Sequence, residues 1–321
     1  MQILGNIFNA VIFVSVIGSI HTVISLFVNQ ILRCALPLWF SCCGMILFCF
    51  PFLSPDVFLI SPEMQDWLNG FVIANVLWGC GCGIFLVCNI IRLMLAKRAI
   101  NNYKISRNER LNSIYSQCAA AIPLKRAPVL YCGTLDTPIC VTGVIHPAII
   151  MNEIIMEQLT DKELSAVFFH ELTHVKRKHV LLERIYDYIC ILNWMNSFSW
   201  IARGNFSLHC ETDCDFHAIK MLRGRVTETE YAAAIIQLLK FSTVSAAKSG
   251  NGIGALDFLL TKRRIKRITT GTSKIRDGMT AIILVVFLAF ILVCSMRFSR
   301  ESFYPYPADN TGTEYSAGYN K

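Results

Sequence analysis

Charge is what this sequence has least of. Only 16% of its 321 residues are Asp, Glu, Lys or Arg, against roughly 25% in a typical soluble domain. Apolar residues make up 54% and the mean hydropathy is +0.48. A soluble globule of this length needs more polar surface, so something other than protein must cover part of the chain. Collagen-like repeats, low-complexity tracts (outside the polar tail 304–321) and internal repeats are missing too. The 14 cysteines do not make a disulfide framework. Cys42, Cys43, Cys49, Cys80, Cys82 and Cys88 lie inside apolar runs, where a thiol behaves as a small hydrophobe. The first apolar run has no basic segment before it and no small-x-small cleavage site, so it reads as a retained helix rather than a signal peptide.

Four apolar runs, 7–28, 35–53, 71–95 and 279–296, approach the ~20 residues that an α-helix needs to cross a bilayer. Their middles carry no charge, while Arg92 and Arg297 sit at ends, from which basic side chains reach the interface. Residues 92–280 hold 26 of the 30 Lys and Arg but 16 of the 22 Asp and Glu. The 54–70 loop has Asp56, Glu63 and Asp66 and no basic residue. The positive-inside rule therefore places 29–34 and 92–278 in the cytoplasm, and both termini and the 54–70 loop outside. The bland alternative makes some of these runs buried core helices. The basic residues are spread among acids, apart from the cluster 262–267. That cluster reads as an anchor against acidic head groups rather than a nucleic-acid site, and direct nucleic-acid binding is not expected.

Between the third and fourth runs, 99–127 is polar and helix-compatible. Short β-rich runs at 128–132, 138–142 and 148–152, separated by Gly133, Asp136 and Gly143, read as a small sheet or hairpin. From Pro147 to Gly204 there is neither Gly nor Pro, so one long helix or two abutting helices follow. They start at a capping box, with Thr160 as N-cap and Glu163 reaching back to its amide. On this helix lies His170-Glu171-Leu172-Thr173-His174. The i, i+4 spacing brings both imidazoles to one face, able to bind a single Zn²⁺, with Glu171 as general base for a metal-activated water. The alternative is two solvent-facing histidines on a polar helix with no metal between them.

A catalytic zinc takes three protein ligands and keeps a fourth position for water. A third His six residues after the second is not available: that position is Val180, and His179 is one short. A Glu on a second helix is the other common solution. Glu211 and Asp215 share a face of a candidate helix over about 205–222, stopped by Gly224. Glu211 can bind the metal while Asp215 accepts a hydrogen bond from a ligating His. His209 and His217 are alternative ligands. The apolar stretch 181–200 is either an interfacial helix docking the unit on the bilayer or a core helix of the zinc domain.

The chain resembles the membrane zinc metallopeptidases grouped with the BlaR/MecR signal transducers, peptidase family M56. The resemblance rests on three helices before the zinc motif and one after it. It rests also on the 137–151 segment, on His-Glu-Leu-Thr-His-Val-Lys-Arg-Lys at 170–178, and on Glu-x-x-Cys-Asp at 211–215. One departure is Asn196-Ser197, where the family commonly has Asn-Pro.

The resemblance implies a polytopic four-helix membrane anchor carrying a cytoplasmic α+β zincin-like (gluzincin) domain over 99–278. In it His170, His174 and Glu211 hold Zn²⁺ and Glu171 is the catalytic base. In related zinc peptidases an extended substrate pairs with a strand edge beside the metal. The 137–151 segment, with Thr142, Gly143 and Val144, is the candidate here. The implied activity is metalloendopeptidase cleavage of a cytoplasmic transcriptional repressor, and of the chain itself near 262–267, on an envelope or antibiotic signal in a bacterial plasma membrane. A separate sensor protein touching the 54–70 loop, or a homodimer, is an expected partner. The chain ends about 25 residues after the fourth run without a Ser-x-x-Lys, so acylation by a β-lactam is not expected of it. Rival readings are a quality-control protease of the HtpX/CAAX type and a non-catalytic receptor or scaffold with structural zinc. A structural zinc site needs no base, so Glu171 argues against the scaffold. A transporter is disfavoured because no mid-membrane charge marks an ion path.

Overall fold

The computed structural model describes residues 2–30, 38–53, 72–133, 137–249, and Arg264, Ile265 and Ile268. The fourth apolar run, the 54–70 loop and the tail lie outside the described residues, as does most of the 262–267 cluster. The first three apolar runs form helices: α1 (Gln2–Gln30), α2 (Leu38–Leu53) and α3 (Val72–Asn101). Within α3, Ile73–Ile100 is long and apolar enough to cross a membrane.

After α3 the chain forms a short strand, β1 (Lys104–Ile105), then α4 (Glu109–Ala121). The stretch read as uniformly helix-compatible thus contains a strand, because its residues pair with the next one: Lys104 lies opposite Cys132 and Ile105 opposite Tyr131. The three β-rich runs become β2 (Val129–Cys132), β3 (Ile139–Thr142) and β4 (Ala148–Met151). The four-stranded sheet has the order β1-β2-β4-β3, which leaves β3 at an edge. β2 and β4 are parallel, and β3 is antiparallel to β4 with Cys140 opposite Ile150. All four residues of β4 are buried, as befits a strand with neighbours on both sides and a helix layer above it.

A short α5 (Glu153–Glu157) leads to α6 (Asp161–Lys176). The capping box is formed: the Thr160 amide donates to Glu163 Oε2 at 2.8 Å, and the Glu163 amide donates to Thr160 Oγ1 at 3.3 Å. The Pro- and Gly-free stretch after Thr160 is broken into three helices rather than one or two: Lys178 takes a left-handed conformation at φ 56° and separates α6 from α7 (His179–Leu192), and a third helix begins at Ser197. α8 (Ser197–Met221) starts about eight residues before the expected 205, capped by the Asn196 side chain on the Phe198 amide. α9 (Glu228–Ser249) completes the described helices.

Two of the hydrophobic clusters among the described residues position the site. The larger, with Leu111, Phe168, Met151, Leu164 and Tyr231, joins α4, α6, α9 and the sheet. The second, with Met45, Phe48, Tyr186, Ile189 and Phe206, packs α2 against α7 and α8. The 181–200 stretch therefore buries one face against α2 and α8. Its other face, including Ile185, Tyr188 and Trp200, is exposed.

Candidate metal centre

α6 supplies the first two site residues. The imidazoles of His170 and His174 converge so that their Nε2 atoms lie 3.2 Å apart. α8 crosses behind them and presents Glu211, whose Oε2 is 3.3 Å from His170 Nε2 and whose Oε1 is 3.3 Å from His174 Nε2. Donors bound tetrahedrally at about 2.0–2.2 Å are separated by roughly 3.3–3.5 Å. The three residues therefore fit the corners of one zinc-sized coordination sphere. Cys214 can also join the two histidines in a triplet with donor atoms within 4.8 Å. Burial and the neighbouring carboxylates hold its thiol well above its ordinary pKa, and its Sγ faces His179 Nδ1 at 3.3 Å.

The groups behind the histidines set their ring orientation. His170 Nδ1 lies 3.1 Å from Asp215 Oδ1 and 3.0 Å from the Tyr231 hydroxyl, which donates to the same carboxylate at 2.9 Å. A proton on Nδ1 facing that carboxylate leaves the Nε2 lone pair for a metal. His174 Nδ1 lies 3.2 Å from His179 Nδ1, and His179 Nε2 is 3.4 Å from Asp213 Oδ2. Asp213 is in turn ion-paired with Arg177. Each histidine of the pair thus has an acid behind it, directly for His170 and through His179 for His174.

Arg264 closes the cluster. Its guanidinium donates to both oxygens of Asp215, at 2.9 and 2.7 Å, and pairs with Glu211 Oε2 at 2.7 Å. Only 14% of this side chain is exposed. One member of the 262–267 cluster is therefore folded into the site rather than aimed at lipid head groups, because the buried Asp215 and the partly buried Glu211 on α8 need a counter-charge.

Electrostatics follow from these contacts. Burial disfavours charge on Glu211, but Arg264 and the imidazoles outweigh it and hold its carboxyl well below the ordinary range. Burial also opposes ionisation of Asp215, yet Arg264 and His170 bring it down to about 2. For His170, burial opposes the imidazolium, while Asp215 and Glu211 prevail and lift the pKa to about 10. The field around His170 thus favours positive charge. Glu171 differs: burial raises its pKa, with His170 and His174 pulling the other way.

A cleft of about 470 Å³ opens over this centre, lined by His170, Glu171, His174, Glu211 and Arg264, with Thr137–Val141 along one side. The strand beside the cleft is therefore the edge strand β3 and the two residues before it. Thr142, Gly143 and Val144 do not line it. Gly143 instead makes the β3–β4 turn at φ +85°, where a Cβ would run into the His146 carbonyl. Thr142 pairs with Ala148 inside the sheet. His209 contacts Ser41 of α2, and His217 faces Asp213 at 3.6 Å, so neither alternative ligand meets the His170–His174 pair. Tyr231 and Arg264 were not singled out from the sequence, and His179 was weighed there only as a third ligand and set aside. His179 is local enough to be seen, but its role depends on the left-handed break at Lys178.

A family model described as BlaR1 peptidase M56 matches residues 59–268, roughly two thirds of the chain. The regulatory protein BlaR1 of Bacillus licheniformis is 26% identical over 190 residues, covering 59% of this chain and 31% of its own length. The methicillin resistance mecR1 protein of Staphylococcus aureus is 26% identical over 188 residues, covering 56% and 31%. The chain spans about a third of the length of the curated relatives it matches.

Proposed function

Because this chain belongs to the M56 family of BlaR/MecR-like peptidases and is membrane-associated, we propose that it is a membrane-embedded zinc metalloendopeptidase acting in signal transduction. The observation that carries the metal assignment is that the Nε2 atoms of His170 and His174 lie 3.2 Å apart and each lies 3.3 Å from its own oxygen of the Glu211 carboxylate. Asp215 orients His170, and Glu211 is preferred to Cys214 because its carboxylate is already ionised and equidistant from both histidines. Zinc held there supplies a Lewis acid for the scissile carbonyl and lowers the pKa of the attacking water towards neutrality.

The protein's own residues do the rest. Glu171 takes the proton of the attacking water and passes it to the leaving amine. Its burial suits this task, since a raised proton affinity brings a carboxylate nearer the working pH. The free edge of β3, at Thr137–Val141, holds the substrate extended by main-chain pairing, which makes little demand on side-chain sequence.

The membrane reading assigns spans to α1, α2, α3 and residues 279–296, with the catalytic unit on the cytoplasmic side of a bacterial plasma membrane. The words "regulatory" and "methicillin resistance" in the relatives' names support a signalling role, in which a cytoplasmic repressor is cleaved. A sensor protein or a second copy of the chain is the proposed partner outside the membrane. The test compares repressor levels in cells carrying the native chain or Glu171→Gln under cell-envelope stress. Loss of repressor with the native chain alone is expected, and equal levels in both would remove the repressor from the reading.

A further inference from the structure

The tip of the α7–α8 hairpin, around residues 185–203, is the part of the catalytic unit that the mechanism does not use. It lies far from the sheet and against the apolar helices. On α1, the Ser15 hydroxyl donates to Asn193 Oδ1 at 3.0 Å, and Asn196 Nδ2 donates to Ser15 Oγ and Ser19 Oγ at 2.9 Å and to the Ser15 carbonyl at 3.1 Å. On α3, the Trp78 indole donates to the Leu192 carbonyl at 3.0 Å, and the Trp194 indole donates to the Trp78 carbonyl at 3.2 Å. Gly81 of α3 lies so close to the Trp194 ring that a Cβ there would overlap it.

Ser15 is near the centre of the apolar run 7–28, and Gly81 is near the centre of 71–95. At the other end of the hairpin, His209 meets Ser41, close to the start of α2. Contacts with three helices thus agree on one depth order, tip inward and Glu211 outward.

We propose that α7 and α8 form a re-entrant membrane hairpin whose tip reaches the middle of the bilayer and whose exposed face contacts phospholipid acyl chains. This rests on the reading of α1–α3 as membrane spans.

The surface has the required composition: Ile185, Tyr188, Met195, Phe198, Trp200 and Ile201 are each at least 40% exposed. The polar groups are also arranged for a place without water, where an unsatisfied amide costs several kcal/mol. Asn193 is 3% exposed and satisfied by Ser15 and the Ile189 carbonyl. The charges nearest the tip are mutually paired, with Asp187 between Arg184 at 3.2 Å and Arg203 at 2.9 Å. Intramembrane ions persist when paired in this way.

The placement has a consequence for the substrate. From Ser197 to Glu211, α8 rises about 21 Å at 1.5 Å per residue, while half the hydrocarbon core is about 15 Å. With the tip at the midplane, the metal centre lies within about 6 Å of the hydrocarbon, among the head groups. The cleft then takes peptide segments held at the membrane surface.

The test uses the full chain in vesicles of palmitoyl-oleoyl phosphatidylglycerol and phosphatidylethanolamine. A diazirine amino acid replaces Phe198 or Ile201 on the hairpin, Ile84 on α3, or Ile105 on β1, and lipid adducts are quantified by mass spectrometry. Ile84 and Ile105 are both 64% exposed, so they differ only in surroundings. Lipid adducts at 198 and 201 within about two-fold of those at 84, at least ten-fold above 105, and mapping to the distal half of the acyl chains are expected. Adducts at 84 with none at 198 or 201, or with intrachain adducts there instead, would overturn the hairpin and leave the membrane spans standing. Adducts at 198 and 201 confined to the glycerol side would overturn the depth. No adducts at 84 would remove the membrane reading itself.

Discussion

At one end of the α7–α8 pair, neutral amides and hydroxyls, Asn193 and Asn196 with Ser15 and Ser19, join the helices to α1. At the other end, the joints are ionic: Glu211 and Asp215 with Arg264, and Asp213 with Arg177. The neutral joints carry no net charge and need no counter-ion, which suits a low-dielectric setting. The ionic end concentrates charge beside two imidazoles, which suits a divalent cation and a reaction that moves protons. On the proposed reading, one helical pair contains both a structural anchor and a reactive centre, and each should fail independently.

The largest expected effect is at the reactive end. Glu171→Gln keeps the metal donors and removes the base, so peptide cleavage should fall by about 10²–10⁴-fold while zinc per chain, read by elemental analysis, stays constant. Residual cleavage near the native rate would mean that another group takes the proton. Glu211→Ala should follow, with zinc content dropping sharply in purified protein. Retained zinc would move the third ligand to Cys214, the other donor that joins both histidines.

Asp215→Ala leaves three ligands but unorients His170 and leaves Arg264 paired with Glu211 alone, and should weaken zinc affinity by about 10–100-fold in a competition titration. The same carboxylate predicts an acid limit in chelator-treated protein. Its folded pKa of about 2 lies below the unfolded value, so its contribution is complete above about pH 4 and is lost as pH falls towards 2. That contribution is about 2 kcal/mol, and Asp215→Ala should flatten this part of the stability–pH curve.

The smallest effect belongs to the neutral end. Asn196→Leu removes three donated hydrogen bonds and the α8 N-cap, at about 1–3 kcal/mol, while the Ser15 and Ser19 hydroxyls keep their bonds to Asn193 Oδ1 and the Ser15 carbonyl. The Tm should drop by several degrees with zinc content unchanged. A loss of zinc in this variant would show that the two ends are coupled after all.

Much of the reactive end was legible in the chain. The capping box and the i, i+4 histidines are local patterns whose geometry follows from helix periodicity. Glu211 and Asp215 were found the same way, four residues apart on one helix. Arg264, Tyr231 and His179 were not, for a different reason in each case. Arg264 looked like one basic residue among several in 262–267. Tyr231 is an ordinary aromatic on α9 until that helix packs on α6. His179 had the wrong spacing for a ligand and became a neighbour of His174 only through the left-handed residue Lys178. Of the 137–151 segment, the cleft takes Thr137–Val141 along its side, while Thr142, Gly143 and Val144 fall at and beyond the end of β3, because the chain turns there at Gly143.

The amino-acid order by itself determined the elements and their local chemistry: apolar helices by composition, the capped motif helix by periodicity and the paired carboxylates by spacing. The tertiary structure alone decided which acid stands behind which histidine, that a cation 49 residues from Asp215 closes the centre, and that the tip of 181–200 meets the middle of α1. Helix periodicity repeats every few residues and can be read along the chain. Convergence of side chains from separate elements depends on how those elements pack, and no local pattern encodes it.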